Sequence, residues 1–297
     1  IAFIGGLFTG WESIYYFKWN GNYWADIDGT GNESASIPVP MGGFPQDVCL
    51  AIDSNNNPHI VWSDFPADLT WTAKNIYYVK WNGSDWVDAD GVSYESITIT
   101  SDLTENSVEP FLLLDNNNFA NIVYVVNNYS TNFSALCFLK WNGITWVDVD
   151  GAGTESKIVF GPGNFKIRSP VMRFDSFGNP HIVWSGSTQF DSTIRINYLY
   201  WNGSQWVDVD GAGQESMSLP LSNDGYGPSL ELDASGNPHI SFYSSTGVYY
   251  LRWNGNQWVD ADGTGTESAK IDNNSFDSQY GYQNNTSLKL DNQGKPN

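Results

Sequence analysis

Apolar and polar residues alternate along this chain in short runs, and each run stops at a cluster of turn-forming residues. Leu230 and Leu232 show the pattern, alternating with polar neighbours until Asp233 opens an Asp-x-x-Gly-Asn-Pro turn. A period of two predicts half-buried strands, and Asn, Gly and Pro supply the backbone angles of a tight turn. Past the turn comes a second run of the His-Ile-Val-Trp kind, then a third of the Tyr-Tyr-Val-Lys-Trp kind. A Trp-Asn-Gly-x-x-Trp turn leads into a fourth, Trp-Val-Asp-Val-Asp. No window of useful length shows a helical apolar period, so helices are not expected.

The four runs recur as a set, which makes the chain a repeat protein. KWNGNYWADIDGTGNES from Lys18 returns in related form from Lys80, Lys140, Tyr200 and Arg252. Its leading tryptophans, Trp19, Trp81, Trp141, Trp201 and Trp253, lie 62, 60, 60 and 52 residues apart. Between them run LAIDSNNNPHIVW, LLLDNNNFANIVY, MRFDSFGNPHIVW and LELDASGNPHISF, ending at Trp62, Tyr124, Trp184 and Phe242. The fifth copy is divided: LKLDNQGKPN ends at Asn297, and IAF opens at Ile1. Joining the ends gives a fifth spacing of 63, and the five then account for all 297 residues. The expected repeats are 1–44 with 286–297, 45–106, 107–168, 169–227 and 228–285. This organisation predicts an all-β chain, a single five-bladed β-propeller over 1–297 with four strands per blade. Strands two to four from the N-terminus and strand one from the C-terminus would close the ring in blade one.

The L-D-x-x-G-N-P-H-I-x-W and W-N-G-x-x-W strings resemble propeller repeats common in secreted prokaryotic proteins. The second turn is similar to a degenerate Asp-box, keeping Gly-x-x-Trp with Trp where that motif has Asp. The resemblance covers essentially the whole chain and implies the propeller fold; such repeats occur in lectin-like, adhesive and enzyme-appended propellers. The five-bladed architecture is similar to tachylectin-type sugar-binding propellers by analogy of fold alone, with none of their motifs.

Charge narrows the partners. There are 33 Asp and Glu against 13 Lys and Arg, a net charge of −20 and a pI near 4.1. That excludes the basic footprint of nucleic-acid binding and argues against anionic lipid. No run of about 18 apolar residues exists, so membrane insertion is not expected. Ile1 is not a translation start, and no signal-peptide pattern follows it. Cys49 and Cys137 sit in apolar runs without metal or redox spacing and read as buried free thiols. Eight Asn-x-Ser/Thr sequons, at Asn32, Asn82, Asn128, Asn132, Asn202, Asn273, Asn284 and Asn285, suit an extracellular or cell-surface protein.

The strongest chemical pattern is D-x-D-G-x-G-x-E. It places Asp26, Asp28 and Glu33, then Asp88, Asp90 and Glu95, then Asp148, Asp150 and Glu155 in corresponding loops. Asp208, Asp210 and Glu215, with Asp260, Asp262 and Glu267, complete the set. Alternate carboxylates before a glycine turn can converge oxygens on Ca2+, which takes six to eight of them. Up to one Ca2+ per blade is expected, blade two being weakest because Val92-Ser93-Tyr94 loses the second glycine. An Asp-capped turn bonding its own amides is the competing reading. His59, His181 and His239 share one repeat position with Asn121 and Asn297, and read as residues that hydrogen-bond the adjacent turn rather than metal ligands.

Most tryptophans belong to the repeat. Trp11 and Trp71 fall in irregular loops between strands two and three, and Tyr226, Tyr280 and Tyr282 in stretches between blades. Exposed aromatic platforms beside Asn, Asp and Gly suit sugar rings, so these five are the candidate ligand contacts. The expected function is a non-enzymatic extracellular module binding a glycan or surface protein. The alternative is a structural subunit that joins itself by strand exchange. A glycoside hydrolase needs paired carboxylates near the axis. The corresponding first-strand position holds Ala51, Leu113, Arg173, Glu231 and Lys289, so only one candidate is acidic. Fifteen of the carboxylates lie in the D-x-D-G loops and five more in the first turns, which makes the net charge a property of the repeat.

Overall fold

The computed structural model describes residues 1–6, 12–31, 36–37, 39, 44–65, 73–92, 97–100, 105–128, 131–154, 157–187, 193–215, 217–221, 224–267, 269–272 and 286–297. Among them the structure is all-β, with no helix. The chain divides into two compact units, Ile1–Ile158 and Val159–Asn297.

In the first unit, repeat two forms an antiparallel sheet of Gln46–Ile52, Pro58–Asp64, Asn75–Trp81 and Trp86–Val87, in chain order. Repeat three does the same with Asn106–Leu114, Ala120–Asn128, Phe133–Trp141 and Trp146–Val147. In repeat one, Ala2–Gly6 pairs with Glu12–Tyr16, and Lys18–Trp19 with Trp24–Ala25. The second unit holds repeat four, Ile167–Phe174, Pro180–Gly186, Arg195–Trp201 and Trp206–Val207. It also holds repeat five, Tyr226–Leu232, Pro238–Ser244, Gly247–Trp253 and Trp258–Val259.

The second strands are buried along their whole length or nearly so, which explains their unbroken apolar runs. Trp62 and Trp184 are wholly enclosed. Successive repeats meet through one recurring contact, a third-strand tyrosine against the second tryptophan of the next Trp-Asn-Gly turn. Tyr16–Trp86 and Tyr78–Trp146 make it in the first unit, and Tyr198–Trp258 in the second, edge-on at 6.2, 5.6 and 6.1 Å. The turn itself is built by its asparagine: the Asn142 side chain accepts the amides of Ile144 and Thr145 at 3.0 and 2.9 Å, and Asn20, Asn82, Asn202 and Asn254 act alike. Burial pushes the Cys137 thiol up to about 12, whereas Cys49 is half-buried.

Two features depart from the alternation. The fourth strand was expected to run through Trp-Val-Asp-Val-Asp, yet only Trp and Val pair, and the Asp-x-Asp segment turns away. After that loop the chain returns to the third strand, at Tyr77–Thr98, Asn197–Ser218 and Tyr249–Lys270. The fourth strand is therefore interrupted. The first strands of repeats two to five also carry a bulge, at Asp47, Glu109, Ser169 and Gly227, where φ is +53, +51, +51 and +53°. Repeat five puts the expected glycine at this left-handed position, and the other three accept the strain.

Ser169→Gly should therefore leave stability unchanged or raise it by up to about 1 kcal/mol, and Ser169→Val should lower it by about 1–2 kcal/mol. Urea unfolding of the two variants beside the parent measures the difference.

Candidate functional site

The D-x-D-G loops are closed by their own backbone. The first aspartates, Asp26, Asp88, Asp148, Asp208 and Asp260, are no more than 1% exposed. Each accepts the amide of the second aspartate, at 3.2, 3.1, 3.2, 3.2 and 3.1 Å, and its own amide donates to a glycine carbonyl across the loop in four repeats. The second aspartates, Asp28, Asp90, Asp150, Asp210 and Asp262, accept the amide two residues on at 2.6–2.8 Å. Glu33, Glu95 and Glu155 lie outside the described residues. Glu215 accepts the Gln214 amide at 3.0 Å, and Glu267 folds back against Gly265. Among the described residues no group of three His, Cys, Asp or Glu is gathered for a metal.

A lysine from the third strand reaches each of the first three loops. Lys18, Lys80 and Lys140 donate from Nζ to the carbonyl between the two aspartates, on Ile27, Ala89 and Val149, at 2.5, 2.8 and 2.8 Å. Arg252 takes the position in repeat five. Repeat four alone has a neutral residue there, Tyr200. Its hydroxyl reaches toward Gly211, where a methyl group would sit 3.2 Å away, just as Lys80 reaches toward Gly91.

The histidines form trios that run across each sheet rather than bonding the adjacent turn. Nδ1 of His59, His181 and His239 meets the hydroxyl of Tyr78, Tyr198 and Tyr250 at 2.5, 2.5 and 2.6 Å. Nε2 faces Asp53, Asp175 and Asp233 at 3.8, 3.7 and 3.9 Å, beyond hydrogen-bond range. Asn121, at the same position, does bond its turn, donating to the Phe119 carbonyl at 3.0 Å. Burial pulls His59 and His181 down to about 4, with Asp53 and Asp175 opposing it, so both rings are neutral at pH 7. Burial works to raise Asp175, but hydrogen bonds from Asn179 and the Phe177 amide outweigh it and hold the carboxyl below its ordinary range.

The repeat-four trio opens on a pocket of about 240 Å3. Asp175, His181, Tyr200, Val209 and Trp253 line it, and the first turn of repeat five closes it with Ser235 and Asn237. Tyr200 stacks on the His181 ring, with centroids 5.0 Å apart and planes 22° from parallel. Register explains the contact, since Tyr200 is the strand partner of His181. Phe177 stands at the rim, 88% exposed.

The other candidates are placed as follows. Trp11, Trp71, Tyr280 and Tyr282 lie outside the described residues. Tyr226 is half-buried at the start of its strand and stacks on its cross-strand partner Tyr243 at 5.6 Å. Glu231 is bonded by Arg173 at 3.1 Å and Lys289 at 2.7 Å; burial works to raise it, but these two partners outweigh burial and hold it below its ordinary range. A carboxylate fixed in its charged form is a poor general acid. Sequence reasoning missed Asp64, a buried acid at the end of a second strand. Its Oδ1 accepts the amides of Phe44 and Phe65 at 2.6 and 2.7 Å, yet burial pushes it up to about 6.

No family model and no curated protein matches the chain. Solved structures do resemble it. A GH43 endo-arabinanase from Bacillus licheniformis is 17% identical, with a TM-score of 0.48 over 85% of this chain and 97% of that one. A polysaccharide lyase of family PL25, an ulvan lyase, is 14% identical, with a TM-score of 0.49 over 84% of this chain and 65% of its own. A fucose lectin from Kordia zhangzhouensis, in complex with methyl-fucoside, is 14% identical with a TM-score of 0.32, over 54% of this chain and 95% of its own. These likenesses are mainly to carbohydrate-active enzymes, against the expectation of a non-enzymatic module, adhesive or structural. Tyr200 breaks the repeat inside a strand, beside the buried imidazole of His181.

Asp64 gives a pH test. Between about 3.8, its ordinary value, and about 6, the folded state binds a proton that the unfolded chain has released. Its contribution to stability is thus full below that window and lost as pH rises through it. Asp64→Asn imitates the protonated acid, so it should exceed the parent in stability by about 1–3 kcal/mol at pH 8 and converge with it near pH 4. Urea unfolding across that range measures both curves.

Proposed function

We propose that the chain is a glycan-processing protein, its five repeats forming the blades of one β-propeller over 1–297. Its sugar site is the pocket between the first turns of repeats four and five, and His181 is the proton-handling group. The observation that carries this reading is the pairing, in one small pocket, of aromatic faces with a neutral imidazole beside a carboxylate. Trp253, Tyr200 and Phe177 offer surface for the C–H face of a sugar, and Asp175, Ser235 and Asn237 offer partners for hydroxyls. A neutral imidazole held by Tyr198 on one nitrogen and facing Asp175 with the other can take up a proton and be stabilised as it does so. The sequons and the scarcity of cysteine suit a place outside the cell.

His181→Asn is the decisive variant, because repeat three already carries Asn121 at that position. A panel of neutral and acidic polysaccharides should include one that the protein cleaves, read as new chain ends. His181→Asn should lower that rate by about 10²–10⁴-fold with an unchanged circular dichroism spectrum, whereas His59→Asn should leave it intact. Cleavage that survives His181→Asn, or a panel with no cleavage at all, would sink the reading.

Calcium in the D-x-D-G loops is a separate proposal with a separate readout. It is tested at repeat five, whose three carboxylates, Asp260, Asp262 and Glu267, all lie among the described residues. Without calcium, Asp260→Ala should cost about 1–3 kcal/mol, and Asp260→Asn, which keeps an acceptor for the loop amides, less than about 1 kcal/mol. Added Ca2+ should raise the melting temperature of the parent and not of Asp260→Asn. A parent indifferent to Ca2+ and to chelator would remove the metal.

A further inference from the structure

The first turns of the five repeats share one construction. An aspartate opens each turn, and its Oδ1 accepts the amide of the residue two positions on at 2.8 Å in every repeat. That residue serves the turn through its backbone, so its side chain is left to vary. It is Asn55, Asn117, Ser235 and Gln293 in four repeats and Phe177 in repeat four. The turn does not call for a phenylalanine, and with 88% of Phe177 exposed the ring draws little from burial in its own protein. It stands instead on the lining of the pocket, together with Trp253, Ser235 and Asn237.

Size and charge describe what such a rim would hold. At about 240 Å3 the pocket is smaller than the about 300–1,000 Å3 of sites that enclose a drug-sized ligand, so it takes in a single sugar ring and leaves the next one outside. Its charge is one-sided. All 13 Lys and Arg of the chain lie among the described residues, and none of them lines the pocket. The Asp175 carboxylate does line it, and the amides of Phe177 and Asn179 at 2.8 Å and Asn179 Nδ2 at 2.9 Å favour its charged form. A uronate or sulfate group would meet this carboxylate with no Lys or Arg on the lining to pair it. The net charge of −20 repels a polyanion already at a distance.

We propose that this site takes a neutral glycan chain rather than an acidic one, holding one sugar unit in the pocket and stacking the next on Phe177. Phe177 is then a specificity-determining residue, the contact that distinguishes a chain from a single sugar. The inference rests on the reading of the pocket as a sugar site and adds the class of glycan and a second point of contact. Phe177 is reached directly from solvent, and the C–H face of a pyranose would replace the water over its ring. Stacking of this kind is worth up to about tenfold in affinity.

Native gels cast with single polysaccharides at equal mass concentration test this. Xylan, mannan, galactan and mixed-linkage β-glucan are the neutral probes, and polygalacturonate, alginate and carrageenan the acidic ones. At least one neutral polysaccharide should retard the protein more than any acidic one does. Phe177→Ser introduces the residue that repeat five carries in the same turn, so it is compatible with the fold, and it should weaken that retention at least threefold. Phe177→Trp should keep it. The free monosaccharide of the retained glycan should compete with the same dissociation constant in the parent and in Phe177→Ser, because it occupies the pocket alone. Stronger retention by an acidic polysaccharide than by every neutral one, a smaller change in Phe177→Ser, a monosaccharide that loses affinity with it, or retention by none overturns the proposal. The reading of the pocket as a sugar site is tested separately, by cleavage. Cleavage that is lost in His181→Asn but indifferent to Phe177→Ser would remove the role of Phe177 and leave that site standing.

Discussion

The burial of one carboxylate per repeat is the constraint from which the rest of the architecture follows. An aspartate enclosed this completely must be satisfied at once by several donors, and the nearest donors are the amides of the following residues. Satisfying it bends the chain out of the sheet after two residues of strand four. The bend turns the carbonyl between the two aspartates toward the third strand, where a long cationic side chain meets it. The third strand thereby becomes the organising element of each repeat, paired to strand two, to the stub of strand four and to the chain again after the loop.

Much of this was legible in the sequence, and the legible part is the part that repeats. Strand order, the asparagine-built turns and the first-turn aspartates follow from spacing and residue type. The interruption of strand four was not, because Trp-Val-Asp-Val-Asp alternates as a strand does; the preference of aspartate for nearby amides overrides the alternation. Nor were the bulges legible, since Asp47, Glu109 and Ser169 do not announce a left-handed backbone. The site was half visible. Tyr200 stands out as the single uncharged residue among Lys18, Lys80, Lys140 and Arg252, but its meaning depends on lying opposite His181 across two strands. The acidic first-strand residue that the sequence does offer, Glu231, is already neutralised by Arg173 and Lys289.

The same electrostatics connects the acidic composition to the pocket. Carboxylates placed in loops are tolerable at this density because the loops solvate them with amides, and in three repeats an ammonium answers part of the charge. In repeat four a phenol, Tyr200, takes the place of that cationic side chain.

The exchange of histidine for asparagine between repeats carries a further meaning. His181 and Asn121 occupy the same repeat position in two different sheets, one reaching across to a tyrosine and the other back to its own turn. A chain that contains both is a set of parallel trials of one design, held at the same temperature and solvent. Spare copies keep the scaffold standing while a single copy departs from the pattern, so novelty can be tried in one repeat without endangering the others.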